Sequence, residues 1–403
     1  LQNNPDIRLA VENQNGTMAD YRYVKALDRL QVNGELSPSQ SSTTETERVG
    51  KYNIFAGLVA TYPLVNPGQG AKEEMARRKV DISKIQEKDT KDQVLLSVKT
   101  SYYQCIAAHK NTELRDRIRS NFAKRFVTIK GLVQTGDRPI LDQSMAEVSL
   151  SQSNLEYQQA RNREKVAESE LRAVMGVMTD SSPIITDDFP DIYQPKYSID
   201  EIYNFIDQYC SDVQIARSHT EIAREGIWHA RSMHLPEVNL IGFWGRQYNN
   251  LDPKNIKYNE LSDRKRWEDK IGFAMAAKVS IFNGGAITAQ TDSAIADYNK
   301  AIYNERKVLL LARKNAQNYL NRLNELRDQI EISRLNIENS RVNLNLAQRS
   351  YDSGIGSQIV VQNAEMSLLQ SELNLIGAKM EYFSTIARLA NLVGIEENEL
   401  CGK

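Results

Sequence analysis

The stretch KYNIFAGLVATY, Lys51 to Tyr62, decides the fold. Its even positions, Tyr52, Ile54, Ala56, Leu58, Ala60 and Tyr62, are all apolar or aromatic. The odd positions, Asn53, Phe55, Gly57, Val59 and Thr61, are mixed. A period of two belongs to a strand with one apolar face. Three further segments alternate in the same way. DRLQVNGEL sets Leu30, Val32, Gly34 and Leu36 on one face. EVNLIGFWGRQY sets Val238, Leu240, Gly242, Trp244 and Tyr248 together, with Arg246 as an interruption. KIGFAMAAKVSIF aligns Ile271, Phe273, Met275, Ala277, Val279 and Ile281. Strands of about 9 to 13 residues suit tilted membrane spans. Tyr52, Tyr62, Trp244 and Tyr248 are expected as aromatics at the membrane interfaces. Polar loops, rich in Ser and Thr after the first strand and heavily charged between 249 and 268, suit an aqueous surface.

The rest of the chain reads as helix, and it reads twice. GDRPILDQSMAEVSLSQSNL from Gly136 falls on GIGSQIVVQNAEMSLLQSEL from Gly354. The identities include Ala146/Ala364, Glu147/Glu365, Leu150/Leu368 and Ser153/Ser371, and the alignment runs on without a gap to Gly176/Gly394. PLVNPG at Pro63 likewise answers SIFNGG at Ser280, and NPDIRLA at Asn4 answers CSDVQIA at Cys210. The expected organisation is a first repeat over 1–180, a linker over 181–198 broken by Pro183, Pro190 and Pro195, and a second repeat over 199–403. The first repeat holds a β-hairpin at about 28–63, a long helix over 71–130 and a return helix over 137–175. The second holds a hairpin at about 236–283, a long helix over 286–353 and a return helix over 357–393.

The long helical runs contain neither proline nor glycine, and at ~1.5 Å per residue they would reach about 90 and 100 Å. Such lengths imply a coiled coil or a helical tube. Leu323, Leu326, Ile330 and Ile337 form part of a heptad-like seam. Lys72, Glu73, Glu74, Arg77, Arg78 and Lys79 read as a solvated face. Glycine turns, 131–136 and 354–356, end the long helices and give two antiparallel hairpins.

With 51 basic and 52 acidic side chains the net charge is -1, so no global field draws nucleic acid. No apolar run reaches the ~18 residues of a membrane helix, which leaves membrane strands open. Leu1 suggests that a leader precedes the sequence as written. Cys105, Cys210 and Cys401 are too far apart for a zinc pattern or a disulfide framework, although Cys210 and Cys401 could lie near one another. His219, His229 and His234 lack a companion carboxylate or cysteine pattern, so no metal is expected. No cofactor is expected, and no nucleophile elbow, phosphate loop or acid/base pair anchors catalysis. Four strands cannot close a barrel, and lipid tolerates no open sheet edge. A membrane reading therefore forces several chains together. Two would give a barrel nearly filled by side chains, and three would leave a lumen.

Duplicated halves, each with a hairpin ending in PLVNPG or SIFNGG, a proline-free helix and then G……AE.SL.QS.L, resemble the TolC-like outer-membrane efflux proteins. The resemblance covers nearly the whole chain. It implies a mainly α fold with a membrane β-barrel portion: a homotrimer with a twelve-stranded β-barrel in the outer membrane of a Gram-negative bacterium and an α-helical barrel in the periplasm. A small equatorial domain, from about 181–198 and the carboxy-terminal end, would belt the helices. Such proteins are passive ducts for efflux or type I secretion. Their implied partners are outer-membrane lipid, a periplasmic adaptor, and an inner-membrane pump of RND, ABC or MFS type.

Position by position, the resemblance places a gate at Asp142, Tyr351, Gly354, Gly356, Val360 and Asn363, and an adaptor-facing turn at Gly136, Asp137, Arg138 and Gly354. The prototype's gate arginine falls on Gly356, so that link is absent, with Arg138 as a replacement nearby. Its two constricting aspartates fall on Val360 and Asn363, which would not concentrate cations. Plainer readings stand beside these. Asp142 suits a helix N-terminus, Tyr351 suits interhelical packing, the glycines suit turns, and Asn283 suits a helix start. The competing functional reading is a non-conducting coiled-coil scaffold or adaptor of the envelope.

Overall fold

The computed structural model describes residues 4–41, 51–177, 188–251 and 267–401. The polar β1–β2 loop, most of the charged loop before Trp267 and the first part of the linker lie outside them. The elements are α1 (Pro5–Ala26), β1 (Gln31–Ser41), β2 (Lys51–Val65), α2 (Gln69–Gln134), α3 (Ile140–Met175), α4 (Ile199–Tyr209), α5 (Ser211–Ser232), β3 (Glu237–Leu251), β4 (Trp267–Lys278), α6 (Ala286–Asp352), α7 (Gln358–Val393) and α8 (Glu397–Cys401). The duplication shows in their lengths. α1 and α5 each have 22 residues, α3 and α7 each have 36, and α2 and α6 have 66 and 67. The strands begin and end a few residues from the expected limits. Gly131 lies inside α2 rather than in a turn. One exposed helical glycine costs only about 1 kcal/mol relative to alanine, too little to break so long a helix.

The chain forms two compact units, each drawing on both repeats. One comprises Leu1–Glu12, Ile85–Gln214 and Arg306–Lys403; the other comprises Asn13–Lys84 and Ile215–Glu305.

In the first unit the apolar seam of α6 is buried as expected at Leu323, Leu326, Ile330 and Ile337. Leu323, Leu326 and Ile330 pack with Ile202 and Ile206 of α4 and with Tyr382, Phe383, Ile386 and Leu389 of α7. α4 starts at a capping box: the Glu201 N–H donates to Ser198 Oγ, and Glu201 Oε2 accepts from the Ser198 N–H at 2.8 Å. The end of the linker meets the carboxy-terminal end. Phe189 joins this core, the Tyr382 hydroxyl donates to the Tyr193 carbonyl, and the Lys196 N–H donates to the Leu400 carbonyl at 2.9 Å. Cys210 is a free, buried thiol. So is Cys105, whose burial pushes its pKa up to about 11.

The second unit holds the sheet, a four-stranded antiparallel meander in the order β1-β2-β3-β4. Its register lines up the apolar positions. Gly34 pairs with Leu58, Leu58 with Trp244, and Trp244 with Ile271. The next row runs Val32, Ala60, Gly242, Phe273. This face is bare: Phe273 is 82% and Ile271 72% exposed, and Leu36, Met275 and Val32 are exposed with them. Arg246, the interruption in the stripe, is neutralised by the opposite residue, its Nε donating to Asp269 Oδ1 at 2.9 Å. The other face is thin because glycines let strands and rings approach. Gly57 opposes Gly245, with the Phe55 ring over both, and the Phe243 ring covers Gly272.

Beside the sheet, the charged start of α2 is more than a solvated face. Glu73 accepts from the Tyr21 hydroxyl at 3.2 Å and pairs with Lys25, both on α1, while Arg78 pairs with Glu221 of α5 at 2.7 Å. Neighbouring helices supply partners that the sequence of α2 alone does not show.

A Cβ at Gly245 would lie 2.5 Å from the Ala56 carbonyl oxygen and 2.6 Å from the Gly57 Cα. Gly245→Ala should therefore destabilise the sheet by about 2 kcal/mol. Gly34→Ala, with nothing within 4 Å, serves as the neutral control. Thermal melts in detergent report both, and equal melting would refute the close-approach role of Gly245.

Candidate functional site

The two helical hairpins of the first unit end in turns of one design. At the first, Gly136 has φ 84°. Its N–H donates to the Val133 carbonyl, and the Asp137 N–H donates to Leu132 at 2.9 Å. At the second, Gly354 has φ 81°, its N–H donates to Tyr351, and the Ile355 N–H donates to Ser350. Both are Schellman caps, which satisfy the last carbonyls of the helix and need a left-handed residue at that place. The glycines that align in sequence thus sit at equivalent places in the backbone.

The structure joins the turns through Arg138. Its Nη2 donates to the Tyr351 carbonyl at 2.9 Å, and its guanidinium lies 4.4 Å from the centre of the Tyr351 ring. Arg138 thus stands against Tyr351. Asp142 stands in the first turn of α3, where its charge suits the helix dipole. No hydrogen bond joins it to Tyr351, whose hydroxyl is buried without a partner. Burial pushes the phenol pKa above its ordinary value, Arg138 opposes the rise, and Asp142 adds to it. Asp137 accepts from the Thr135 hydroxyl at 2.6 Å and stays at the exposed tip.

α7 carries the remaining positions on two faces. Gln358, Val361, Glu365 and Leu369 are buried, whereas Val360 and Asn363 point away and are exposed. The sequence reading missed Glu365, which is only 1% exposed. Its Oε2 lies 2.8 Å from Arg125 Nη1 of α2, and its Oε1 accepts weakly from Asn121 at 3.4 Å. Two turns further on, Glu372 pairs with Arg117 of α2 and with Arg341 of α6. α2 is also tied to α3 by Arg115–Glu156 and His109–Glu164. It is therefore the helix that both return helices grip with acids. The available signal was a glutamate between Val361 and Leu369 on one helical face. Beside the turns opens a cavity of about 990 Å³, bounded by α2, α6, Arg138 and Glu365.

On the sheet, Tyr62 and Trp244 are exposed on the apolar face. Tyr248 differs: it is 1% exposed, its ring 5.6 Å from that of Trp267 in an edge-on pair. Trp267, half-buried at the start of β4, is the aromatic that alternation passed over. The side chain of Tyr52 lies outside the described residues. The three histidines are not gathered: His219 and His229 lie along α5, and His234 lies beyond its end.

Residues 1–177 and 210–395 match the family described as outer membrane efflux protein. The chain belongs to the outer membrane efflux protein family. The gap in the match falls on the linker and α4, which have no counterpart in the first repeat. Among relatives, the solvent efflux pump outer membrane protein SrpC of Pseudomonas putida is 24% identical over 98% of this chain and 83% of its own length. The cation efflux system protein CusC of Escherichia coli O157:H7 is 22% identical over 91% of this chain and 78% of its own. A crystal structure of CusC shares the fold, with a TM-score of 0.84 at 19% identity over 98% of this chain and 90% of that one. The mainly helical fold with four strands per chain is thus that of the TolC-like channels. This outer membrane efflux protein belongs to a family of exit channels rather than enzymes, and its place is the outer membrane of a Gram-negative bacterium.

Removing one member of the Arg125–Glu365 pair leaves a buried charge. Arg125→Leu should cost roughly 3 kcal/mol, and Arg125→Leu with Glu365→Leu should recover most of it. Thermal melts of the two variants decide; a double variant that melts below Arg125→Leu would show that the two groups do not interact.

Proposed function

We infer that three copies of this chain form one conduit, with sheets closed edge to edge into a twelve-stranded barrel and helical hairpins closed into a tunnel. The observation that carries this is the sheet. Its apolar face is exposed, and among the described residues the outer edges of β1 and β4 have no strand partner. Lipid suits such a face but excludes unpaired edges, so neighbouring copies must pair β4 with β1. Eight strands from two copies would fill with side chains, and twelve leave a lumen.

The conduit is a passive duct. An inner-membrane pump of RND, ABC or MFS type supplies the energy, and a periplasmic adaptor meets the turn at Gly136, Asp137, Arg138 and Gly354. Closure sits at the same end. Arg138 clamped on Tyr351 holds the two turns together, Asp142 stands by as an alternative partner for the Tyr351 hydroxyl, and Gly354 and Gly356 form the bend. Val360 and Asn363 line the narrow part. Relatives named for solvent and for cations have the same kind of chain, which fits a duct that leaves selection to the pump.

In planar bilayers the purified protein should conduct, and it should run as a heat-resistant trimer in detergent. Arg138→Ala should raise single-channel conductance several-fold. Multivalent cations should block only weakly, since Val360 and Asn363 carry no charge. Recovery as a non-conducting species without detergent would instead favour an envelope scaffold. Strong block at low cation concentration would remove Val360 and Asn363 from the constriction.

A further inference from the structure

We propose that the cavity beside the two turns binds a multivalent oxyanion, a group presenting carboxylate or phosphate oxygens. The walls are cationic: Lys124, Arg125, Arg138, Arg341 and Arg349 outnumber Asp137, Asp352 and Glu365. The acids are already engaged. Glu365 is held by Arg125 at 2.8 Å, Asp137 accepts from Thr135, and Asp352 accepts from Gln348 at 2.9 Å. Of the cations, only Arg125 is matched by an acid of the same wall. Among the described residues no partner holds the Lys124 or Arg349 side chain, and the Arg341 side chain reaches Glu372 alone, at 3.4 Å. Arg138 spends one nitrogen on a carbonyl and keeps the rest of its fork.

The second observation is independent of charge. Tyr351, 6% exposed, lines this cavity, and its hydroxyl has no partner. A buried hydroxyl without a hydrogen bond is costly, and a small turn of the ring toward the cavity would let an anion oxygen accept from it. Arginines at the rim would grip the same ligand in forked, charge-assisted bonds. At about 990 Å³ the space exceeds what one carboxylate needs and suits a tricarboxylate, a phosphate with its water, or an acidic segment of another chain.

The test is isothermal titration of the full chain in detergent with propane-1,2,3-tricarboxylate, inorganic phosphate and a short polyglutamate peptide. The proposal expects saturable binding of at least one, weakening as salt rises. Tyr351→Phe should loosen it about tenfold, the share of one hydrogen bond to a charged group. Lys124→Gln and Arg349→Gln change exposed side chains and should each loosen it several-fold with unaltered melting. Tighter binding of the small anions assigns a free solute, and tighter binding of polyglutamate assigns an acidic partner segment. No saturable binding, or binding indifferent to all three substitutions, overturns the site. The duct reading fails separately: anion binding without conductance would sink the duct alone, and conductance without anion binding would sink the site alone.

Discussion

Among the described residues the outer edges of β1 and β4 have no strand partner, and their backbone bonds constrain everything else. In water such edges are tolerable, because solvent satisfies the N–H and C=O groups. Here they border a face of Val32, Leu36, Trp244, Ile271, Phe273 and Met275 that water does not suit. An apolar solvent that rewards the face forbids the edges. Only a closed ring of strands meets both demands, and four strands are too few to make one. The architecture of a single chain thus leaves a demand that the inferred trimer would meet with more of the same sheet.

The opposite face explains how such a sheet stays regular. Large side chains on both faces would thicken and flatten it. Gly57 against Gly245, and Gly272 under the Phe243 ring, let neighbouring backbones approach while rings lie over the gaps. The strands can then twist and curve, as closure requires. The Arg246–Asp269 pair fits the same logic. Its two charges stand on the apolar face beside the Tyr248–Trp267 pair, where they cancel across one register step.

Much of this was legible in the sequence, for reasons that differ from element to element. Alternation in Lys51–Tyr62 marks a strand because side chains must take turns on a pleated backbone. Gly136 and Gly354 mark the helix ends because a left-handed cap nearly demands glycine. The seam at Leu323, Leu326 and Ile330 follows from helical periodicity. What escaped were the pairings between distant segments. Nothing local in α2 says that Arg78 meets Glu221 or that Arg125 meets Glu365. Tyr248 was assigned to the exposed face by its parity, which is right for the strand and says nothing of a ring at its shoulder. Periodicity reports which way a side chain points, and only tertiary structure reports what it points at.

The duplication shows how far one backbone can carry two sets of side chains. The two turns share the same pair of capping hydrogen bonds, yet Arg138 aligns with Gly356 and Asp142 with Val360. The polar chemistry has collected on the first turn, and the second receives it through the carbonyl and ring of Tyr351. Space enforces part of this division. A Cβ at Gly356 would stand 2.8 Å from Ser350 Oγ and 3.0 Å from the Tyr351 nitrogen, so a side chain there would displace its own neighbours. The aligned glutamates diverge in the same sense: Glu147 is exposed on α3, while Glu365 is buried on α7 against Arg125. Identical residues in equivalent places thus differ because their neighbours differ. α7 is the helix whose buried stripe carries an acid toward α2, so a rearrangement of the turns that shifts α7 must also separate that acid from its arginine.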